Sequence, residues 1–279
     1  MKYIDLHVHS NCSDGTYTPS QLVDHARQKG LAAFALTDHD TIAGLPEAAD
    51  AARRADVELI SGIEFSTEYL GRDVHIVGLD FDFKDQEFQT ELFRFQDSRN
   101  IRNRKMIKRM QEEGIDITWE AMEERFGAAV WTRAHFARYL TDQGYVPEMK
   151  DAFSLYLADD APCFVPREKV TPVQAVRLIH RFNGIPVLAH PMLYHLSGEE
   201  LQILITELKQ AGLIGIEALY STYTQEEEDL VRRLAAANGL LISGGSDFHG
   251  SNKPDIDLGC GKGNLKIPYE ILEELRSAK

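Results

Sequence analysis

The chain has 279 residues, of which 43% are hydrophobic, 27% charged and 9% aromatic. This length and composition are typical of a globular protein with a sizeable core, and they exclude a disulfide-stabilised miniprotein, a collagen-like fibre and a disordered chain. The formal net charge of −14 argues against a long nucleic-acid track held by the overall field of the protein. An acidic chain can still bind cations through its carboxylates or carry a local basic patch.

Three features bear on the location of the protein. The longest apolar run, residues 31–36, is too short to cross a membrane. The first residues carry charges and lack the apolar segment of a secretory signal. Three cysteines, Cys12, Cys163 and Cys260, are few, odd in number and without CxxC spacing. We therefore expect a cytoplasmic protein with reduced thiols and no membrane contact.

Predicted strands and helices alternate in the segment 1–84. Thr18, Pro19 and Gln21 are typical of a helix start, because threonine and glutamine can form a capping box and proline suits the first turn. The apolar run 31–36 is typical of a buried parallel strand. In chain order, the patterns predict a strand over 2–8, a helix from 19, a strand over 31–36, a helix over 45–54 and strands over 57–63 and 72–79.

The segment 85–162 is predicted to be a mostly helical insertion, with helices over 88–113, 119–126 and 132–141. The first of these helices carries a cluster of seven basic residues, and one acidic residue, Asp97, lies in the same stretch. The cluster comprises Arg94, Arg99, Arg102, Arg104, Lys105, Lys108 and Arg109. Such a run is more often a solvated helix face than a binding site. In an acidic protein it is also a candidate anion clamp, since arginine binds phosphate in a bidentate manner.

Alternation resumes in the segment 163–279, where Thr171, Pro172 and Gln174 repeat the helix-start pattern. Repeated β–α units on both sides of an insertion predict a parallel barrel or an open parallel sheet. The further predicted elements are strands over 185–189, 213–219 and 240–243 and helices over 198–211, 225–238 and 268–277.

Six of the ten histidines lie within predicted strands or where those strands end, together with three carboxylates. These candidate metal ligands are His7, His9, Asp14, His39, Glu64, His75, His190, Asp247 and His249. The carboxyl ends of barrel strands converge, and burying so many polar groups is costly unless cations bind them. We therefore expect two to three divalent ions. Nitrogen and oxygen ligands without thiolate suit zinc, manganese or iron.

A single histidine at a strand end is more often a packed residue than a ligand, but six such histidines favour a metal site. His7 and His9 strengthen this interpretation, because their i, i+2 spacing places both side chains on one face of a strand. The other four histidines are His25, His135, His180 and His195. We assign these to packing or to the surface, except His135, which lies beside Arg133 in the insertion.

Seven short motifs resemble those of the PHP (polymerase and histidinol phosphatase) family in order and spacing. They are His7-Val8-His9-Ser10, Asp14-Gly15, Thr37-Asp38-His39-Asp40, Gly62-Ile63-Glu64-Phe65, His75-Ile76-Val77-Gly78, Ala189-His190-Pro191 and Gly245-Ser246-Asp247-Phe248-His249. This resemblance covers the chain outside the insertion. It implies a distorted seven-stranded β/α barrel, formed by 1–84 and 163–279, that holds up to three divalent metals.

The same resemblance implies how the ligands are shared. One metal would be held by His7, His9, Glu64 and Asp247. Glu64 would bridge to a second metal, held also by His75 and His190. A third would be held by Asp14, His39 and His249. Glu64, Asp14 and His39 would also take part in catalysis.

Within the insertion, three stretches resemble one branch of the family, which dephosphorylates 3′,5′-bisphosphonucleotides and trims short RNA from the 5′ end. They are Arg102-Asn103-Arg104, residues 132–140 and residues 161–166. By this resemblance, the substrate phosphate would contact Arg102, Arg104, Lys105, Arg133 and His135.

We therefore expect a monomeric, manganese-dependent phosphoesterase that removes the 3′-phosphate of a 3′,5′-bisphosphonucleotide. Its partner would be a small nucleotide or a short oligonucleotide, with no membrane. Two enzymatic alternatives are a 5′–3′ exoribonuclease acting on short RNA and a phosphatase of the histidinol-phosphate type. A non-catalytic PHP module is a third alternative, which the complete ligand set disfavours.

Overall fold

A computed structural model describes residues 2–127, 129–158, 161–165 and 170–279, with the side chains of 94–99 outside the description. Arg94, Asp97 and Arg99 of the basic cluster therefore lie outside the described side chains, and Pro166 lies outside the described residues. Among the described helices, none is both long enough and apolar enough to cross a membrane.

The described strands and helices follow the predicted alternation. The strands are β1 (Tyr3–Val8), β2 (Ala33–Leu36), β3 (Glu58–Tyr69), β4 (Arg72–Leu79), β5 (Ile185–Leu188), β6 (Gly215–Tyr220), β7 (Leu241–Gly245) and β8 (Ile267–Pro268). The helices are α1 (Pro19–Gln28), α2 (Leu45–Ala55), α3 (Gln86–Glu112), α4 (Trp119–Phe126), α5 (Arg133–Asp142), α6 (Met149–Ala152), α7 (Pro172–Arg181), α8 (Gly198–Ala211), α9 (Gln225–Asn238) and α10 (Glu270–Ser277). Three further turns are helical: a π-helical turn over Phe153–Leu157 and 3₁₀ turns over Pro191–Tyr194 and Gly250–Asn252.

Two compact units make up the chain. The barrel unit comprises Met1–Gln89 and Val170–Lys279, and the helical unit comprises Thr90–Lys169. The helical unit has its own apolar core, in which Met106 and Met110 of α3 pack with Phe136 and Leu140 of α5. That the insertion forms a substrate-binding subdomain stays a prediction.

The barrel unit is built on a sheet with the strand order β7-β6-β5-β4-β3-β2-β1-β8. Strands β1, β2 and β3 run parallel, as do β5, β6 and β7. The residues after β7 return to β1, since Asp247 N–H donates to the His7 carbonyl at 2.8 Å and His9 N–H donates to the Phe248 carbonyl at 3.0 Å. The sheet is therefore a nearly closed, barrel-like α/β architecture. It contains eight strands where the sequence predicts seven, and the unpredicted one, β8, has two residues.

The sheet is mixed, so the expectation of an all-parallel sheet is wrong. β4 runs antiparallel to β3 and β5, because Leu70 and Gly71 form a two-residue turn between β3 and β4. Both turn residues have positive φ, 52° and 79°, as the tight turn of a twisted hairpin requires. β3 also runs to Tyr69, six residues beyond its predicted end. Glu64 accordingly lies within a strand rather than at its end.

The local sequence signals for the helices are confirmed. The side chains of Thr18 and Thr171 each accept a hydrogen bond from the backbone N–H of the glutamine three residues later. The side-chain oxygen of that glutamine accepts the backbone N–H of the threonine. Apart from β3, the predicted elements that the structure contains have bounds within two residues of the observed ones.

The two faces of β1 explain how the sheet positions a site. Ile4 and Leu6 join an apolar cluster that includes Leu272 and Leu275 of α10. Because side chains alternate along a strand, His7 lies on the opposite face and shares it with His9 just beyond the strand. Burial of both faces leaves these imidazoles fully enclosed.

Candidate metal centre

Glu64 lies at the centre of the predicted ligands, with 1% of its side chain exposed. Its oxygen Oε1 lies 2.8 Å from Nδ1 of His75 and 3.1 Å from Nε2 of His190. Its oxygen Oε2 faces the other side of the cluster. The nitrogens around Oε2 are His7 Nε2 at 3.2 Å, His9 Nε2 at 3.1 Å and His39 Nδ1 at 3.2 Å. One carboxylate therefore separates two groups of imidazoles.

Two aspartates complete the cluster on the Oε2 side of Glu64. Oδ1 of Asp247 lies 3.4 Å from His9 Nε2 and 3.3 Å from His249 Nδ1. Oδ1 of Asp14 lies 3.2 Å from His249 Nε2. All nine predicted ligands thus come together in the barrel unit, and all but the half-buried His75 are buried.

Four subsets of these residues have ligand atoms within 4.8 Å of one another. They are His7 with His9 and Asp247; His7 with Glu64 and His190; His39 with Glu64 and His75; and His9 with Asp14, His39 and His249. The last subset contains the whole third set implied by the family resemblance. His39 also lies close to His75, a proximity that the implied sharing of ligands does not include.

The fold supplies these side chains from different kinds of backbone. His75 lies near the start of β4, and antiparallel pairing brings it beside the end of β5, where Ala189 N–H donates to the His75 carbonyl at 3.1 Å. His190 and Asp247 follow β5 and β7 with positive φ values of 23° and 55°. Non-glycine residues rarely adopt such a backbone, and those that do cluster at functional sites.

The donor set fits divalent cations. Among the described residues, Nε2 of His7 and Nε2 of His9, which both face Glu64, are buried and form no hydrogen bond. An unsatisfied imidazole nitrogen in the protein interior is costly, and coordination of a metal would remove that cost. Imidazole and carboxylate ligands together suit zinc, manganese and iron.

Comparison with known proteins identifies the family. A model described as the PHP domain matches residues 5–157. The chain belongs to the PHP family. A 5′-3′ exoribonuclease of Haemophilus influenzae is 38% identical over 251 residues, covering 89% of this chain and 90% of the relative. A 3′,5′-nucleoside bisphosphate phosphatase of Chromobacterium violaceum is 35% identical over 278 residues, covering 99% and 98%.

A solved structure agrees with this assignment. A proposed metal-dependent phosphoesterase from Bifidobacterium adolescentis has a TM-score of 0.85 and 26% identity, covering 99% of this chain and 96% of its own. The predicted family is therefore confirmed, and this PHP protein is a metal-dependent hydrolase of phosphate esters. The match of the family model extends into the helical unit.

Electrostatics in the cluster of nine predicted ligands and the side chains that contact them, called the PHP centre below, favour bound cations. Burial alone would lower the pKa of His9, but Asp247 and Glu64 outweigh it and raise the pKa to about 9. Burial would raise the pKa of Glu64, but the surrounding histidines hold it well below its ordinary value. His39 differs, because burial lowers its pKa to about 3. The pKa values of Asp14 and Asp247 are also held well below their ordinary value, so these three carboxylates attract positive charge.

Sequence reasoning missed three residues of the PHP centre. Glu217 in β6 is buried and accepts the backbone N–H of His190 at 2.8 Å. Tyr220 donates to Oδ2 of Asp247 at 2.6 Å, and Lys253 Nζ lies 2.5 Å from the same oxygen. Glu217 had a usable signal, since it is the lone charged residue in the apolar strand predicted over 213–219. Lys253 lies directly after the 3₁₀ turn Gly250–Asn252, and no sequence pattern marked it as part of the centre.

Two other buried carboxylates hold the loops that carry ligands. Asp38 accepts hydrogen bonds from Ser10 and Ser13 at 2.6 to 2.8 Å, which fixes the loop leading to Asp14. Asp5 accepts the backbone N–H of Ser246 at 2.8 Å, next to Asp247. Both aspartates act on the backbone around the ligands.

The predicted substrate-binding residues lie in the helical unit. Arg102 is buried, whereas Arg104 and Lys105 are exposed. The Arg104 guanidinium stacks 4.1 Å from the centre of the Trp119 ring, and that of Arg133 lies 5.6 Å from the centre of the Phe164 ring. Such stacking orients an arginine side chain. Nη1 of Arg133 also donates to the Leu157 carbonyl at 3.3 Å.

His135 has a structural function in addition to its predicted contact with substrate. It is buried, and its Nδ1 accepts the backbone N–H of Thr132 at 3.0 Å, which completes the capping box of α5. Its ring also meets Phe126 edge-on. The assignment of His135 and the four basic residues to substrate stays a prediction.

Proposed function

We propose that this PHP enzyme removes the 3′-phosphate of 3′,5′-bisphosphonucleotides. It would use two to three divalent metal ions, with manganese as the preferred metal. The observation that carries the proposal is the placement of the Glu64 carboxylate, whose two oxygens face separate groups of histidines. A carboxylate placed in this way suits a bridge between two ions, the arrangement used for in-line phosphoryl displacement. The 35% identical bisphosphate phosphatase supports the choice of substrate.

The proposed ligands follow the implied sets. One ion would be held by His7, His9, Asp247 and Oε2 of Glu64, and a second by His75, His190 and Oε1 of Glu64. When bound, the ions act as Lewis acids on phosphate and make water a better nucleophile at neutral pH. Asp14, His39 and His249 form the remaining group. We assign to this group the stabilisation or protonation of the leaving-group oxygen.

The charge of the centre supports an anionic substrate. Its four carboxylates, Asp14, Glu64, Glu217 and Asp247, and the ammonium of Lys253 leave three negative charges when the histidines are neutral. Two divalent ions bring the centre to one positive charge, and three ions bring it to three. Either state attracts a phosphate dianion.

We assign the substrate's other phosphate to the basic residues of the helical unit, Arg102, Arg104, Lys105 and Arg133, together with His135. Stacking of Arg104 on Trp119 supports this assignment. We expect Arg104→Ala and Arg133→Ala to raise KM for a bisphosphate about tenfold and to change KM for a monophosphate far less. Arg125→Ala is the matched control, because Arg125 is an exposed arginine of the same unit that pairs with Asp142.

A second candidate function is 5′–3′ exoribonuclease activity on short RNA, which the 38% identical relative from Haemophilus influenzae favours. The two functions need the same metal centre. They differ in the group next to the ester that is cleaved, which is a mononucleotide in one case and an RNA chain in the other. A phosphatase of the histidinol-phosphate type would need one phosphate, so substitutions at Arg104 and Arg133 would leave its activity unchanged.

One experiment separates these functions. The purified protein is given manganese with either adenosine 3′,5′-bisphosphate or a short 5′-phosphorylated RNA, and phosphate and nucleotides are measured separately. Free phosphate from the bisphosphate with intact RNA supports the proposal. Mononucleotides from the RNA support the exoribonuclease, and inactivity on both substrates contradicts both.

The proposal extends to a monomer in the cytoplasm. Its three cysteines form no disulfide. Size-exclusion chromatography with light scattering tests the monomer, and fractionation of cells tests the location.

A further inference from the structure

Lys253 lies at the edge of the metal centre, directly after the 3₁₀ turn Gly250–Asn252 that follows His249. Its Nζ contacts Oδ2 of Asp247 at 2.5 Å. The lysine side chain is 37% exposed, whereas that of Asp247 is 6% exposed. The lysine side chain therefore extends from the solvent to the buried carboxylate of Asp247.

The two oxygens of Asp247 have separate partners. Oδ2 takes the hydrogen bonds of Tyr220, at 2.6 Å, and of Lys253. Oδ1 faces the ring nitrogens of His9 at 3.4 Å and of His249 at 3.3 Å. Lys253 thus leaves Oδ1 free to bind an ion, and an ion at Oδ1 does not require Lys253 to move.

The Lys253 ammonium also has unused hydrogen-bonding capacity. It carries three N–H groups, and among the described residues Asp247 is its one hydrogen-bond acceptor. Two N–H groups thus stay available to a ligand. A phosphoryl oxygen is the acceptor whose charge matches this cation.

We propose that Lys253 is a substrate-binding residue that donates to a phosphoryl oxygen of the ester while Asp247 holds a metal ion. This inference rests on the ligand set of the proposed function. It assigns a phosphate contact to the barrel unit itself, separate from the basic residues of the helical unit. The competing explanation is that Lys253 only orients Asp247, as Tyr220 does through the same oxygen.

Three variants separate these explanations. Lys253→Met removes the cation and keeps an unbranched side chain. Lys253→Arg keeps the cation. Tyr220→Phe removes the other hydrogen bond to Oδ2 without changing charge, and it is the matched control. Each variant is loaded with manganese, its metal content is measured by mass spectrometry, and the dissociation constant of inorganic phosphate is measured by calorimetry.

If Lys253 binds phosphate, Lys253→Met weakens phosphate binding about tenfold or more and raises KM by a similar factor, with metal content unchanged. Lys253→Arg restores most of the affinity, and Tyr220→Phe, compared with Lys253→Met at equal metal content, keeps the tighter phosphate binding. Wild-type phosphate affinity in Lys253→Met overturns the proposal. Equal losses of metal and phosphate in Lys253→Met and Tyr220→Phe also overturn it, since they indicate that Lys253 only orients Asp247.

The phosphate probe separates failure of this inference from failure of the proposed function. Binding of inorganic phosphate to the metal-loaded protein does not depend on which ester is the natural substrate. Suppose that the wild type does not hydrolyse adenosine 3′,5′-bisphosphate but Lys253→Met still weakens phosphate binding. This result would support the role of Lys253 and contradict the proposed substrate.

Discussion

Nδ1 of His7 lies 3.1 Å from Oε1 of Glu217, a carboxylate 210 residues away in the sequence. The other oxygen of Glu217 accepts the backbone N–H of His190 at 2.8 Å. Glu217 thus links two proposed ligands, His7 in β1 and His190 just after β5. A carboxylate at Nδ1 keeps the proton of a neutral imidazole there, so that Nε2 of His7 faces the cluster as an electron-pair donor.

Glu217→Gln should weaken metal binding about 10- to 100-fold, because the amide keeps the shape of the side chain but removes the charge that orients His7. Competition with a fluorescent chelator measures this affinity. Glu226→Gln is the control, since Glu226 is an exposed residue at the start of α9. Equal metal affinity in the two variants would show that Glu217 has no part in the centre.

Loss of a proposed ligand should have a larger effect on activity. We expect His9→Ala and Asp247→Ala each to lower manganese-dependent phosphate release by more than about 100-fold, beyond the range typical of residues that only orient ligands. A coupled phosphate assay measures the rates, and circular dichroism checks the fold. His180→Ala is the control, since His180 is exposed on α7. Full activity in both ligand variants would refute the proposed centre.

Gly245 is required where β7 approaches β1. A Cβ added at Gly245 would lie 2.2 Å from the His7 Cβ and 2.6 Å from the His7 backbone nitrogen, both too rigid to yield. We expect Gly245→Ala to lower the free energy of unfolding by about 1–3 kcal/mol, as overpacked cores do, and to weaken metal binding by displacing His7. Urea denaturation measures the stability.

The control for Gly245→Ala is Gly198→Ala. A Cβ at Gly198 would meet no atom within 4 Å, at the first position of α8. Its stability should stay within about 0.5 kcal/mol of the wild type. If both variants unfold at the same urea concentration, the close contact between β7 and β1 does not limit stability.

Asp80 should make stability depend on pH. Burial alone would raise its pKa, but Arg276, at 3.1 Å, and Lys279, at 3.2 Å, hold the pKa below its ordinary value. Arg276 also pairs with Glu58, which accepts a hydrogen bond from Tyr269. Because the folded pKa is depressed, Asp80 stabilises the protein above its unfolded pKa of about 3.9. That contribution is lost as the pH falls through the folded value.

Asp80→Asn should therefore lower the free energy of unfolding at pH 7 by about 0.5–1 kcal/mol, the range of a partly exposed ion pair. The difference from the wild type should shrink as the pH falls below about 4, which denaturant titrations across that range would reveal. Asp50→Asn, at an exposed pair with Arg53, should have a smaller effect. A difference that does not change with pH would exclude the Asp80 ion pair as its source.

The sequence by itself determined the local elements and the chemical character of the centre. Hydrophobic periodicity and capping residues such as Thr18 and Thr171 act over a few residues, so the helix and strand bounds were predictable. That the nine candidate residues lie together was predictable, because strand ends converge in a barrel. Their binding of metal stays a prediction, based on the cost of burying imidazoles and carboxylates without a cation. The family resemblance added the phosphoesterase chemistry, which the comparisons confirm.

Only the tertiary structure decided which of these groups meet. The hairpin at Leu70 reverses β4, so His75 reaches the centre from the start of a strand rather than its end. Closure of the sheet brings Glu217 to His7, and the turn after His249 returns Lys253 to Asp247. Contacts between residues far apart in the chain depend on strand register and closure. No local pattern encodes them, because their free energy is gained only when the whole barrel forms.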